Sequence, residues 1–190
     1  MINVAVEGES DTAAAKAIVS SAGREVHRVV VAGGKARLDL KIPKYNTASK
    51  HANWVVFRDS DGVCPVEVRN ELTAGIAAVG NRFCLRIAHS MTEAWLLADR
   101  EGFCSYFGVK SGQLPRDPEG IAHAKTALLE LCSKSKSKAI RREVVTVDGN
   151  TGPLYVTRLN EFASTHWNVA TAADNSPSLA SAIAAIRRLP

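Results

Sequence analysis

The chain has no long apolar run. Nothing in its 190 residues approaches the ~18 consecutive apolar residues of a membrane-spanning helix, so no membrane partner is expected. The start lacks a basic segment followed by an apolar one, so no secretory signal is expected either. Cysteine is sparse. Cys64, Cys84, Cys104 and Cys132 are scattered with no C-x-x-C spacing. That speaks against a disulfide framework or a zinc site, and for the reduced thiols of a cytoplasmic protein. Gly33-Gly34-Lys35 lacks the spacing and the following Ser/Thr of a phosphate-binding P-loop. There is no H-E-x-x-H and no G-x-S-x-G, which removes the common metalloprotease and serine-hydrolase signatures. No internal repeat is evident.

What remains is ordinary in bulk, with 46% hydrophobic and 23% charged residues. The net charge of +5 is mild, and it permits an anionic partner such as nucleic acid.

Short apolar runs at 2–6, 26–32, 54–58 and 83–88 read as strands. The segments 11–22 and 65–79 between them read as helices, the second with Val66, Leu72, Ile76 and Val79 as candidates for its buried face. The stretch 35–52 is mixed. This β-α-β-α order predicts an α/β fold, a parallel sheet of about four strands covered by helices. Beyond residue 90 the pattern becomes helical. Met91, Ala94, Trp95 and Ala98 have helical spacing, 108–120 reads as a loop, and 121–133 as an amphipathic helix. A last helix starts at Ser176-Pro177, with serine as N-cap and proline at the first position. The expected division is an α/β domain over 1–115 and a helical extension over 116–190, packed on the same core.

Two acidic clusters close apolar strands. Glu7-Gly8-Glu9-Ser10-Asp11 follows the first, and Asp59-Ser60-Asp61-Gly62 follows the third. Ligands of an open parallel sheet collect beyond the carboxyl ends of its strands. Carboxylates meeting there raise one another's pKa unless a cation neutralises them. An oxygen-only set suits Mg2+ or Mn2+. If the third strand continues through Asp59 and Asp61, both point the same way. Each residue also has a plainer reading, Asp11 as a first-turn acid on the helix dipole and Asp-x-Asp-Gly as a turn. Glu9 is expected to be exposed, and Arg58 to form a structural salt bridge from the opposite strand face. Arg86 is expected to do the same.

A strand ending in Glu7-Gly8, a helix, and a later strand ending in Asp59-Ser60-Asp61 together resemble the Toprim domain. That family includes primases, topoisomerases, small RNA-maturation nucleases and the overcoming-lysogenization-defect nucleases. The segments Arg86 to Asp99, Tyr155 to Phe162 and Ser176 to Leu179 are similar to an uncharacterised bacterial Toprim-like family, often encoded beside ATPases in genome-defence regions. The resemblance implies one or two Mg2+ held by Glu7, Asp11, Asp59 and Asp61, a nuclease acting on DNA or RNA, and a possible partner ATPase. It also implies a further acidic residue after the fourth strand, a place that Glu93 matches. Ser90-Met91-Thr92-Glu93 equally fits a helix capping box. Asp99 is expected at the surface and His89 at a strand end. Primase or covalent topoisomerase activity would need domains for which the chain has no room.

Lys134, Lys136, Lys138, Arg141 and Arg142 concentrate positive charge, where they can contact nucleic-acid phosphates or merely line a flexible, solvated loop. Related nucleases use a transition-state lysine, for which Lys125 and Lys138 are the candidates. Two rival functions stay open. Asp59-Ser60-Asp61-Gly62-Val63 also fits the haloacid-dehalogenase phosphatase pattern, with Asp59 as nucleophile and Asp61 as acid/base. The chain could equally be a Toprim-like binding module that does not cut.

Overall fold

The computed structural model describes residues 1–190. Four strands form one sheet: β1 (Ile2–Val6), β2 (Val26–Val31), β3 (Asn53–Asp59) and β4 (Phe83–Ala88). Their order is β2-β1-β3-β4 and every pairing is parallel. The α/β architecture expected from the alternation is therefore present. Strands β1 and β3 are buried on both faces, which is why they read as unbroken apolar runs rather than alternating ones.

Helix α1 (Thr12–Ser21) connects β1 to β2. Two short helices, α2 (Lys35–Asp39) and α3 (Ile42–Ala48), carry the chain from β2 past β1 to β3. Helix α4 (Pro65–Thr73) joins β3 to β4. The chain thus leaves β1 towards one edge of the sheet and later leaves β3 towards the other. The strand order reverses between β1 and β3, the point where open α/β sheets place their ligand crevice.

After β4 the chain is helical: α5 (Thr92–Ala98), α6 (Arg100–Phe107), α7 (Ala124–Ser133), α8 (Lys138–Glu143), α9 (Tyr155–Thr165), α10 (Val169–Asp174) and α11 (Pro177–Arg187). One face of the sheet, through Val4, Val55 and Cys84, packs against α1, α5 and the later helices in a core that reaches Leu189. The other face, through Val56 and Leu85, packs against α2, α3 and α4 in a smaller cluster.

Several expectations change at this level. Helix α4 ends at Thr73 rather than 79, where Gly75 lowers helix propensity. Its buried residue is Val68, with Leu72 and Ile76 packed beside it, while Val66 and Val79 lie exposed. The serine–lysine tract is not a slack loop. Ser135 is buried and donates to the Phe107 carbonyl at 2.6 Å, the Lys136 N–H reaches the Gly108 carbonyl at 2.8 Å, and Ser137 caps α8 through the Ile140 N–H. Ser176 caps α11 and Pro177 opens it, as the sequence leads one to expect.

Candidate functional site

The crevice between β1 and β3 is built on paired backbone contacts. Gly33 and Gly34, at the end of β2, both point an N–H at the Glu7 carbonyl, at 3.0 and 2.9 Å. Their φ angles of 81° and 116° are open to glycine and rarely to other residues. With its backbone fixed, Glu7 accepts the Asp59 N–H on Oε1 at 2.9 Å. The two acidic clusters therefore touch directly.

Asp59 closes β3 and spends one oxygen on the next helix. Its Oδ1 accepts the Thr92 N–H at 2.9 Å and the Thr92 hydroxyl at 3.0 Å. This cap displaces the capping box expected from Ser90 and Glu93. Ser90 instead donates to the Ile121 carbonyl at 2.6 Å, and its own carbonyl accepts the Ser60 and Asp61 N–H groups. Glu93 is thereby released, is buried, and accepts the Tyr155 hydroxyl of α9 at 2.6 Å.

Asp11 sits in a short 3-10 turn, Glu9–Asp11, ahead of α1. Its Oδ2 accepts the Gly8 N–H at 2.9 Å and its Oδ1 the Ser10 hydroxyl at 3.2 Å. Capping of α1 falls to Asn160 of α9, whose Oδ1 accepts the Ala13 N–H at 3.0 Å and the Thr12 hydroxyl at 3.1 Å. Glu9 is exposed.

The carboxyls act on one another. Burial pushes Asp59 well above the usual carboxylate range, and the charges of Glu93, Asp11 and Glu7 add to it. Asp11 is pushed up to about 6 by burial, with Glu93 adding and the Gly8 N–H opposing. Glu7 is raised by burial, against the opposing effects of the Asp59 N–H and the Arg58 charge.

Asp61 departs from the expected same-face pair. Strand β3 ends at Asp59, Asp61 turns through a φ of 52°, and Gly62 follows at 81°. The Asp61 carboxylate then meets Lys35 Nζ at 2.8 Å and Arg58 Nη1 at 3.3 Å. The buried Arg58 also forks onto both oxygens of Asp39 at 3.2 Å and lies 3.6 Å from Glu7. The structural salt bridge expected of Arg58 is present, and it fastens Asp61 as well.

The structure thus gathers Glu7, Asp11, Asp59 and Glu93 and leaves Asp61 on the cationic side. Glu7, Asp59 and Glu93 each keep one carboxylate oxygen with no hydrogen bond from the protein. As the side chains stand, no three His, Cys, Asp or Glu residues converge to cage a metal ion. In kind the set fits a hard cation, being all-oxygen and repelling itself in a desolvated place.

Lys125, on the first turn of α7, lies with Nζ 5.0 Å from the Tyr155 ring centroid, and its charge acts on Asp11. Lys138 opens α8, beyond the far end of α7. Lys134, Lys136, Lys138 and Arg142 are exposed there, while Arg141 folds back onto the Ser135 carbonyl. Along α7 the tract starts at Lys134, about 13.5 Å from Lys125, nine residues at ~1.5 Å each. His89 faces Glu119, 3.8 Å away, rather than the carboxyl cluster. Asp99 is not a surface residue. It is buried, accepting the Gly102 N–H at 3.1 Å and the Asn168 N–H at 2.7 Å, and so ties α6 to α10.

Four contributors were given no role at the site by the sequence: Lys35, Asp39, Thr92 and Tyr155. Lys35 had a usable signal, because it follows β2 at the same sheet edge as Glu7 and Asp59. Tyr155 had none locally, since only the packing of α9 brings it to Glu93.

Comparison with known protein families, with characterised proteins and with solved structures returned no match.

Proposed function

We propose that the chain is a divalent-cation-dependent phosphodiester hydrolase of Toprim type, acting on DNA or RNA. The observation that carries this reading is the contact of Glu7 with the Asp59 N–H at the switch between β1 and β3, with Asp11 and Glu93 near enough for their charges to act on Asp59. Glu7, Asp59 and Glu93 would hold Mg2+ or Mn2+ once their side chains turn their unengaged oxygens towards one point, which they do not share as they stand, with Asp11 beside them. When bound, such a cation supplies an activated water and a Lewis acid for in-line displacement.

The chain's own residues prepare that place. The Asp59 N–H aims Glu7, Thr92 aims Asp59, and Tyr155 aims Glu93. Lys125, whose charge acts on Asp11, would be the lysine that meets charge developing on a phosphate. Lys35 and Arg58 hold Asp61 and so limit the net negative charge of the crevice. Four free cysteines accord with a cytoplasmic setting. The resemblance to proteins encoded beside ATPases makes genome defence with an ATPase partner part of the same proposal.

A phosphatase using Asp59 as nucleophile has less support. That carboxyl is partly buried, disposed to hold its proton, and committed to capping α5. Its expected acid/base, Asp61, is engaged by two cations.

The test incubates the protein with plasmid, single-stranded DNA and structured RNA in Mg2+ or Mn2+, beside Glu7→Gln and Asp59→Asn. Cleavage that both substitutions abolish is the expected result. Hydrolysis of small phosphomonoesters without cleavage would select the phosphatase. Nucleic-acid binding without turnover, untouched by either substitution, would make the chain a binding module.

A further inference from the structure

A second charged place lies on the outer edge of the sheet, away from the carboxyls. Strand β4 is an edge strand, and a groove runs beside it between α4 and α11. The groove consists of two adjoining clefts of about 270 and 620 Å3, which share Arg69, Thr73, Leu85, Arg86 and Arg188. No Asp or Glu lines either cleft. None of the three arginines takes part in an ion pair, although seven such pairs form elsewhere in the chain.

Arg86 is the informative member. Along β4, Cys84 and Ala88 belong to the large core and Phe83, Leu85 and Ile87 to the small one. Alternation places Arg86 on the Cys84 and Ala88 side, at a position suited to an apolar residue. Its Nη2 donates to Ser181 of α11 at 2.9 Å, and its Nε is buried with no hydrogen-bond partner. A guanidinium drawn from water without a carboxylate is costly to a fold. Here burial weakens its hold on its proton, the Cys84 sulfur beside it opposes, and Arg69 and Arg188 add to the weakening. The expected structural salt bridge of Arg86 is absent. An anion from outside would complete this arrangement, and planar guanidinium forks match phosphate oxygens.

We propose that this groove is an anion site that takes phosphate groups. Arg69 and Arg188 grip from its two exposed walls, and Arg86 waits at its floor. The groove follows β4 as far as Ile87, whose register partner on β3 is Arg58, one residue before Asp59. A phosphodiester backbone lying in it would head towards the carboxyl end of the sheet. A free phosphate or nucleotide would satisfy the same chemistry. The inference stands on the arginines and does not need the carboxyl cluster to be catalytic.

The test measures anisotropy of a fluorescein-labelled oligothymidylate in EDTA, against Arg69→Gln/Arg188→Gln. Both arginines are exposed, so this pair of changes leaves the fold intact. Arg86→Gln serves as a second variant and Lys134→Gln/Lys136→Gln as a comparison. The double arginine variant is expected to bind about 10-fold or more weakly, with the slope of log affinity against log salt reduced by about 1.4, for two contacts at ~0.7 each. If inorganic phosphate stabilises the wild type, the oligonucleotide does not bind, and the variant loses that stabilisation, the site takes free phosphate. Equal binding of either probe to wild type and variant overturns the proposal, as does failure of both probes to bind the wild type. EDTA keeps this result separate from cleavage.

Discussion

At the residue scale, the crevice is a set of acids held against their preference for water. Asp11 shows the consequence for pH. Its folded pKa is pushed up to about 6, above the ordinary aspartate value of 3.8, so the folded state holds the proton more tightly than the unfolded chain does. Its ionisation therefore costs stability, a cost complete above about 6 and relieved as pH falls through that window. Asp59 and Glu7 are raised too and act in the same direction. Lowering the pH from 7.5 to 5.5 is expected to raise Tm by about 2–4 °C, on the order of 1 kcal/mol for a chain of this size. Differential scanning calorimetry of Asp11→Asn is expected to show a flatter profile, and an unchanged slope would refute the assignment. Tyr155→Phe removes the hydroxyl that satisfies buried Glu93. It is expected to cost roughly 1–3 kcal/mol in urea denaturation, the penalty of a buried acceptor left unpaired. At pH 5 that loss is expected to shrink, because Asp11 and Asp59, whose pKa values are raised, then repel the Glu93 carboxylate less.

At the element scale, two helices receive their caps from distant parts of the chain. Helix α1 is capped by Asn160 of α9, and α5 by Asp59 of β3. Asn160→Ala is expected to destabilise by about 0.5–2 kcal/mol, as other cap losses do, while leaving nucleic-acid cleavage intact at temperatures below melting. Urea titration and a plasmid-nicking assay on the same variant check both halves. These caps also explain which elements were legible. Strands β1, β3 and β4 are buried apolar runs between turn signals, and they appear within a residue of their expected bounds. The contact between Glu7 and Asp59 was legible from sheet logic alone. The Ser90 capping box was not, because a carboxylate from another strand outcompetes it. Helices α9 and α10 rest on tertiary contacts, Asn160 on α1 and the Asp99 carboxyl on Asn168, that no local pattern announces.

At the scale of the whole molecule, the helices after residue 116 are part of the core rather than an appendage. Phe162, Leu179, Ile183 and Ile186 are buried in the same cluster as Val4 and Ile18. A fragment of residues 1–115 would expose that sheet face and lose the α1 cap. It is expected to show no cooperative thermal transition and to bind a dye that reports exposed apolar surface, whereas a sharp transition would make the first 115 residues an independent unit. The placement of charge is also global. Acids gather at the carboxyl end of the central strands, and unpaired arginines gather along the β4 edge.

The link between Asp59 and α5 gives the crevice an optical reporter. Helix α5 carries Trp95, whose ring lies edge-on to Phe57 of β3 with centroids 6.1 Å apart, and whose Nε1 donates to Ser178 at 2.7 Å. Any ligand that draws on the Asp59 carboxyl also tugs the first turn of α5, and with it the indole. With Trp54 and Trp167 replaced by phenylalanine, the emission of Trp95 is expected to shift as Mn2+ or Mg2+ is titrated in. The same titration of Asp59→Asn is expected to leave the spectrum still.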